Sequence, residues 1–351
     1  MNTVLFGDCR DTMRDLIAQG VRVQMCVTSP PYFGLRDYGH PGQIGLEATP
    51  AEFVRAMVEV FALVRELLAD DGVLWLNLGD SYAGTGKSGG GAQGKRWDEC
   101  GMDTEGPRGG KWMPPLPGMR PKNLIGIPWR VAFALQEAGW NLRQDIIWHK
   151  PNPMPESVTD RCTKAHEYLF LLSKSERYYW NAEAMKEQAA GALPGNQNHK
   201  HTAEYEDSGD EKHRTKAGLV DYAKRQRSKR DSFKREDSKR AEVIPGQTVG
   251  THRPDRDESE WDTATRNRRS VWTVPTQPYT GAHFATFPPA LIEPCILAGS
   301  RSGDTVLDPF FGSGTTGEVA GNLGRNWIGC EINEGYAPLQ RERTAQAGLA
   351  L

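Results

Sequence analysis

The sequence predicts an α/β fold with a mostly parallel sheet and helices on both faces, and three observations carry that reading. Apolar runs of strand length recur along the chain, helical patterns lie between them, and the two kinds alternate. The runs are Val23 to Val27, Val73 to Leu78, Asp145 to Trp148, Tyr168 to Leu172, Thr305 to Leu307 and Trp327 to Cys330. Each is short and predominantly apolar, as expected of parallel strands buried on both faces.

The helical patterns have local start and stop signals. TPAEFVRAMVEVFALVRELLADDG opens with Thr49 as N-cap and Pro50 at the first helical position, repeats apolar residues every three or four, and is expected to stop at Gly72. IPWRVAFALQEAGW and FPPALIEPCILAGSRSGD behave the same way, each ending near a glycine.

Composition narrows the class. A chain of 351 residues, 38% apolar and 25% charged, is long enough to bury a full core. The opening MNTVLFGDCRDTM has no basic region leading into an apolar run, and no stretch nears about 18 consecutive apolar residues, so a cytoplasmic protein without membrane attachment is expected. Six scattered cysteines without a CxxC pair argue against a zinc ribbon and against a disulfide framework, and no metal site is expected.

Two polar stretches interrupt the alternation. Gly84 to Arg120 is glycine-rich, carries Lys87, Lys95, Arg96, Arg108 and Lys111, and reads as a mobile loop. Residues 187–269 are polar throughout; within them Lys212 to Arg240 holds twelve Lys or Arg against four Asp or Glu, although the whole chain has a net charge of -2. A nucleic-acid backbone is the partner such a patch fits, and a solvated charge run is the competing reading. The chain thus divides into residues 1–186, a basic insertion at 187–269, and residues 270–351. No internal repeat is apparent.

The C-terminal block DTVLDPFFGSGTTGEVAGNLGRNWIGCEIN places Gly312-x-Gly314-x-x-Gly317 after a strand and before a helix, with Glu331 closing the next strand. That is the pattern of a nucleotide-type cofactor site: the glycines allow a tight turn, and the acid can accept from both ribose hydroxyls. Tight strand-to-helix packing alone is the rival explanation. A dinucleotide site needs its first glycine directly after the strand, whereas here Asp308-Pro309-Phe310 intervenes. An acid there would repel a pyrophosphate but could receive an ammonium group, which favours S-adenosylmethionine over NAD.

TSPPY at residues 28–32 and DPFFGSGTT at 308–316, in that order, resemble the beta class of DNA amino-methyltransferases, in which the catalytic motif precedes the cofactor motif. GDC at Gly7 to Cys9, LNLGDSYAG at Leu76 to Gly84, HEYLFLLSKSERYYWN, AHFATFPPALIEPCI and GCEINEGYAPLQRER extend the likeness over nearly all of the chain outside the two polar stretches. The resemblance implies a Rossmann-like, S-adenosylmethionine-dependent methyltransferase core with circularly permuted motif order. It also implies double-stranded DNA as partner, with target recognition in the basic insertion.

The resemblance further implies roles for single residues. Ser29 and the Pro30 carbonyl would accept the hydrogens of an exocyclic amine, with Pro30 and Pro31 fixing the backbone direction, and Tyr32 would stack on a base flipped out of the duplex. Asp308, Pro309, Phe310, Gly312, Gly314 and Thr315 would surround the methionine end of the cofactor, Glu331 its ribose and Asp8 its adenine. For Asp8 a plain turn aspartate is an equal rival. His283 and Phe284 would shape the methionine pocket. Family members with Ser at position 29 usually act on cytosine N4 and those with Asp or Asn on adenine N6, so cytosine is favoured and adenine is the alternative.

Other classes are weighed against this one. A nicotinamide oxidoreductase leaves TSPPY unexplained, and a non-catalytic DNA-binding relative would need damage at Ser29, Tyr32 or the glycine turn. Carbon-5 methylation through Pro294-Cys295 would require that cysteine on a loop, whereas its spacing suggests a buried helix. Whether a cognate restriction endonuclease accompanies the enzyme, and whether it is a monomer or a homodimer, is left open by these residues.

Overall fold

The computed structural model describes residues 2–35, 39–40, 42–84, 116–153, 155–188, 265–277 and 287–345. The glycine-rich stretch at 85–115, the basic run and both His283 and Phe284 lie outside the described residues. The chain divides into two units, one of Met1–Lys186 with Asn267–Leu351, the other of Glu187–Arg266.

The first unit is built on one eight-stranded sheet. In chain order its elements are β1 (Asn2–Phe6), α1 (Cys9–Ala18), β2 (Val23–Thr28), α2 (Pro50–Leu67), β3 (Leu68–Leu78), α3 (Ile127–Glu137), β4 (Asn141–His149) and β5 (His166–Ser173). The two short strands β6 (Lys186–Gln188) and β7 (Thr265–Asn267) pair with each other at the described ends of the second unit, where Arg266 Nε donates to Glu187 Oε1 at 2.9 Å. The first unit resumes with β8 (Val271–Thr273), α4 (Pro289–Gly299), β9 (Thr305–Asp308), α5 (Thr315–Asn322), β10 (Asn326–Glu331) and α6 (Ala337–Ala345).

The sheet order is β1-β10-β9-β2-β3-β5-β4-β8. All pairings are parallel except those of β5, which runs antiparallel to β3 and β4. The mostly parallel sheet expected from the sequence is thus present, with one correction: Tyr168 to Leu172 is not a parallel strand. A parallel partner for β4 would need a crossover helix between them, and none of the described residues between 150 and 165 is helical, so the chain returns antiparallel.

Side chains alternate between two cores. Cys26, Leu74, Leu76, Phe170 and Leu172 pack with Met13 of α1, Phe53 and Phe61 of α2 and Val131 of α3. Val27, Val73, Trp75, Leu169 and Leu171 pack on the other face with Leu291 and Cys295 of α4 and Val319 of α5. A large side chain buried fully in either layer contributes about 1.5–3 kcal/mol, and Phe53, Phe61, Trp75 and Phe170 are all fully buried.

Local chemistry sets the helix ends. Thr49 Oγ1 accepts from Glu52 N at 3.2 Å while Glu52 Oε2 accepts from Thr49 N at 3.1 Å, a reciprocal cap with Pro50 first in α2. α2 ends at Leu67, five residues before Gly72, because Leu68 turns extended and enters β3. Gly72 then lies within that strand, where a Cβ would come within 2.9 Å of the Ala69 and Gln24 carbonyls. No described helix is long and apolar enough to cross a membrane.

Candidate active site

The C-terminal ends of β1, β10, β9, β2 and β3 share one edge of the sheet, and the antiparallel β5 brings its N-terminal residues to the same edge. Loops at this edge of an open α/β sheet bind ligands where the strand connections change direction. Nearly all described residues singled out by the sequence meet here.

On the β9 side, Asp308 is 1% exposed. Its Oδ1 accepts from Thr28 Oγ1 at 2.6 Å and Phe310 N at 3.0 Å, and its Oδ2 accepts from Thr316 Oγ1 at 2.6 Å. The acid expected to meet an ammonium group is therefore first a brace for the loop that follows it. Pro309 is buried, Phe310 is partly buried, and Gly312 and Gly314 adopt φ of 55° and 89°, left-handed values that favour glycine. Gly314 is the residue from which α5 starts, with Thr315 buried at the first helical position.

Glu331 ends β10 beneath this loop, its Oε2 accepting from Gly312 N at 2.7 Å and its Oε1 from Asn333 N at 2.8 Å. Gln340 Nε2 donates to Gly312 O at 2.7 Å from the other side. Burial pushes Asp308 up to about 6 and Glu331 up to about 7, against the donors that favour their ionised forms. Among the described residues no Lys or Arg pairs with either acid. Two buried carboxylates without a cation, set beside a glycine turn, fit a ligand that carries positive charge, as S-adenosylmethionine does.

Asp8 follows β1 beside Glu331, with Gly7 N donating to Glu331 O at 2.9 Å. Its carboxylate caps α1 through Arg10 N at 2.8 Å and is gripped by the Arg10 guanidinium, whose hydrogen bonds hold it below the usual carboxylate range. That partnership gives Asp8 the turn role alongside any contact with a ligand.

On the β2 side, Ser29 is half-buried and Pro30 buried. Pro31 and the Tyr32 carbonyl pack over Gly45, where a Cβ would come within 3.2 Å of each. The Tyr32 ring lies against Gly79, just beyond β3: a Cβ there would sit 2.5 Å from Tyr32 Cε2. Its hydroxyl lies 2.6 Å from Glu167 Oε2 and 3.2 Å from Asn77 Oδ1. Ser29 Oγ donates to Asn77 Oδ1 at 3.1 Å. The ring is thereby held flat with one face braced by backbone, a shape suited to stacking against a planar base.

Asn77, Glu167 and Lys150 were not singled out by the sequence. Asn77 carried a signal, being a polar residue within the apolar run LWLNL and 2% exposed. Asp80 spends its carboxylate on Gly126 N and Ile127 N at the start of α3, both at 3.0 Å, and Trp148 is a buried aromatic whose Nε1 donates to Val274 O at 2.8 Å. Cys295 sits fully buried inside α4, and burial pushes its thiol well above the ordinary value.

Comparison with known proteins shows the family. Residues 23–342 match the model of the N6/N4 methyltransferase family, described as DNA methylase. The chain is 40% identical to the type II methyltransferase M.SmaI of Serratia marcescens over 97% of its own length and 89% of the relative's. It is equally 40% identical to M.Cfr9I of Citrobacter freundii, over 97% and 87%. The fold superposes on the PvuII DNA methyltransferase (cytosine-N4-specific) with a TM-score of 0.54 and 16% identity, covering 97% of this chain and 86% of that one. With its sheet, its glycine turn and its likeness to the type II methyltransferases, the chain belongs to the DNA methylase family.

Proposed function

We propose that the chain methylates the exocyclic N4 amine of a cytosine extruded from double-stranded DNA. The observation that carries this reading is Ser29, held by Asn77 one residue beyond the Thr28–Asp308 bond and beside the braced Tyr32 ring. An amine conjugated to its ring is a poor nucleophile. Ser29 Oγ and the Pro30 carbonyl accept its hydrogens, hold the lone pair out of conjugation and aim it across the sheet edge toward the glycine turn. Tyr32 stacks on the extruded base and offsets part of an unstacking cost of a few kcal/mol.

Asp308, Phe310, Gly312, Gly314, Thr315 and Glu331 hold the cofactor. Bound there, S-adenosylmethionine would supply an electrophilic methyl group, and the amine aimed by Ser29 and the Pro30 carbonyl would give up a proton to solvent. The basic insertion, residues 187–269, contacts phosphates and reads the target.

The test is nucleoside mass spectrometry of unmethylated DNA incubated with the protein and S-adenosylmethionine, with Ser29→Ala as control. N4-methylcytosine that forms far more slowly in the variant is the expected result. N6-methyladenine would overturn the inference from Ser29.

A further inference from the structure

We infer that Glu167, at the start of β5, is a positioning residue that sets the hydrogen-bond polarity of the amine pocket and makes Ser29 an acceptor. This rests on the reading of Ser29 as the group that meets the exocyclic amine. The inference starts from Asn77, whose Nδ2 lies 3.3 Å from Glu167 Oε2 and 3.1 Å from the Tyr168 carbonyl. Both amide hydrogens are committed to these acceptors, so the orientation of the Asn77 amide is fixed.

The consequence reaches Ser29. Asn77 Oδ1 faces Ser29 Oγ at 3.1 Å and the Tyr32 hydroxyl at 3.2 Å. An amide oxygen carries no hydrogen, so the Ser29 hydroxyl hydrogen points to Asn77, and Ser29 offers its lone pairs to an incoming N–H. The Tyr32 hydroxyl has one hydrogen; of its contacts to Asn77 Oδ1 and Glu167 Oε2, the shorter, 2.6 Å to Glu167 Oε2, takes it. The other carboxylate oxygen, Oε1, accepts from Lys150 Nζ, whose ammonium also lies 4.2 Å from the Trp148 ring centroid. Every hydrogen in the network therefore has one direction, set by two acceptor-only groups, the Tyr168 carbonyl on Asn77 and the Glu167 carboxylate, which alone reaches Asn77, Tyr32 and Lys150 together. The Glu167 and Lys150 side chains are only 14% and 18% exposed, so water has little access to substitute for either partner.

Glutamine at position 167 has nearly the same shape and the wrong polarity. Its amide nitrogen must face either Lys150 or the Tyr32 and Asn77 hydrogens, donor against donor. The strain is relieved when the Asn77 amide or the Ser29 hydroxyl turns, which puts a hydrogen where the amine hydrogen should be received.

The experiment is a double-mutant cycle on the full chain, reading kcat for DNA methylation and KM for DNA in wild type, Ser29→Ala, Glu167→Gln and the double variant. Expected is a kcat loss of about 10–100-fold in Glu167→Gln, the size of a small misplacement at the reacting atoms, with KM for DNA changed by less than about twofold. The double variant should be no worse than Ser29→Ala by more than about twofold, because the first change acts through the second residue. Multiplying losses, or wild-type kcat in Glu167→Gln, overturns the inference. If Glu167→Gln melts early, Lys150→Met replaces it. That variant keeps the bonds to Glu167 Oε2 and to Asn77, so a smaller loss that disappears in the Ser29→Ala background supports the inference, and one that persists there overturns it. The cycle is scored on whichever base mass spectrometry finds methylated. An adenine product would sink the cytosine reading and still test Glu167, whereas an N4 product without coupling would sink only this inference.

Discussion

Gly79→Ala should cripple methyl transfer while leaving a folded protein. Gly79 does not have a positive φ, so alanine has no backbone objection there, and the effect is purely one of space. A Cβ at this position would sit 2.5 Å from Tyr32 Cε2, 2.9 Å from Cδ2 and 3.1 Å from Cζ. The ring must retreat by about 0.9 Å to restore an ordinary 3.4 Å contact, yet its hydroxyl is tied at 2.6 Å to Glu167. The stacking platform either tilts or loses its anchor. Displacements of about 1 Å in groups that position a substrate cost on the order of 100-fold in rate, and overpacking costs about 1–3 kcal/mol of stability. Single-turnover methylation of duplex DNA by Gly79→Ala should therefore slow by about 100-fold, with a cooperative melt retained. In a Tyr32→Ala background the same change should cost almost nothing, because the clashing ring is gone. Wild-type turnover in Gly79→Ala, or an equal penalty with and without the Tyr32 ring, would refute the reasoning.

Three further outcomes follow from the same geometry. Gly329→Ala should lower stability by about 1–3 kcal/mol in thermal melts, since a Cβ there would lie 2.3 Å from Phe311 Cγ on a ring already stacked on Trp327. Apoprotein stability should fall as pH rises from about 4.5 toward 7: the folded chain holds the Glu331 proton that the unfolded chain has released, so unfolding sheds a proton. Glu331→Gln should reduce that slope in a series of melts, leaving the part that Asp308, also pushed up by burial, contributes, and an unchanged slope would exclude Glu331 as a source. Cys295→Ala should retain methylation within about twofold, because a buried helical thiol has no access to a base; complete loss with a normal melt would revive carbon-5 chemistry.

What the sequence disclosed was local, and what it concealed was pairwise. The cap of α2 was readable because Thr49, Pro50 and Glu52 lie within four consecutive residues. The glycine turn was readable because the backbone conformations that need glycine occur where the glycines are spaced. The direction of β5 was not, since LFLL is equally apolar whichever way it runs; direction came from the connection before it. β8 gave no pattern at all, as only Trp272 of its three residues is buried. The serine and tyrosine of TSPPY were visible, but the groups that orient them were not: Asn77 and Glu167 are 90 residues apart, and neither position records the other. Asp308 marks the remaining gap, a recognisable acid whose immediate partners, Thr28 and Thr316, emerge only from the packed sheet.

The Thr28–Asp308 bond also explains why the order of motifs along this chain has no bearing on the chemistry. The two residues are 280 positions apart, yet β2 and β9 are neighbours in the sheet, and the hydroxyl and carboxylate meet at 2.6 Å in a buried setting. Thr28 immediately precedes the serine proposed to hold the amine, and Asp308 immediately precedes the loop proposed to hold the methyl donor. An in-line transfer needs the reacting atoms about 3–3.5 Å apart, a tolerance that two independently mobile loops could not keep. Here both loops leave from one hydrogen-bonded pair at the centre of a sheet packed on both faces. Any connectivity that sets β2 beside β9 would give the same register between donor and acceptor, so the sheet, rather than the sequence order, carries the alignment of the reaction.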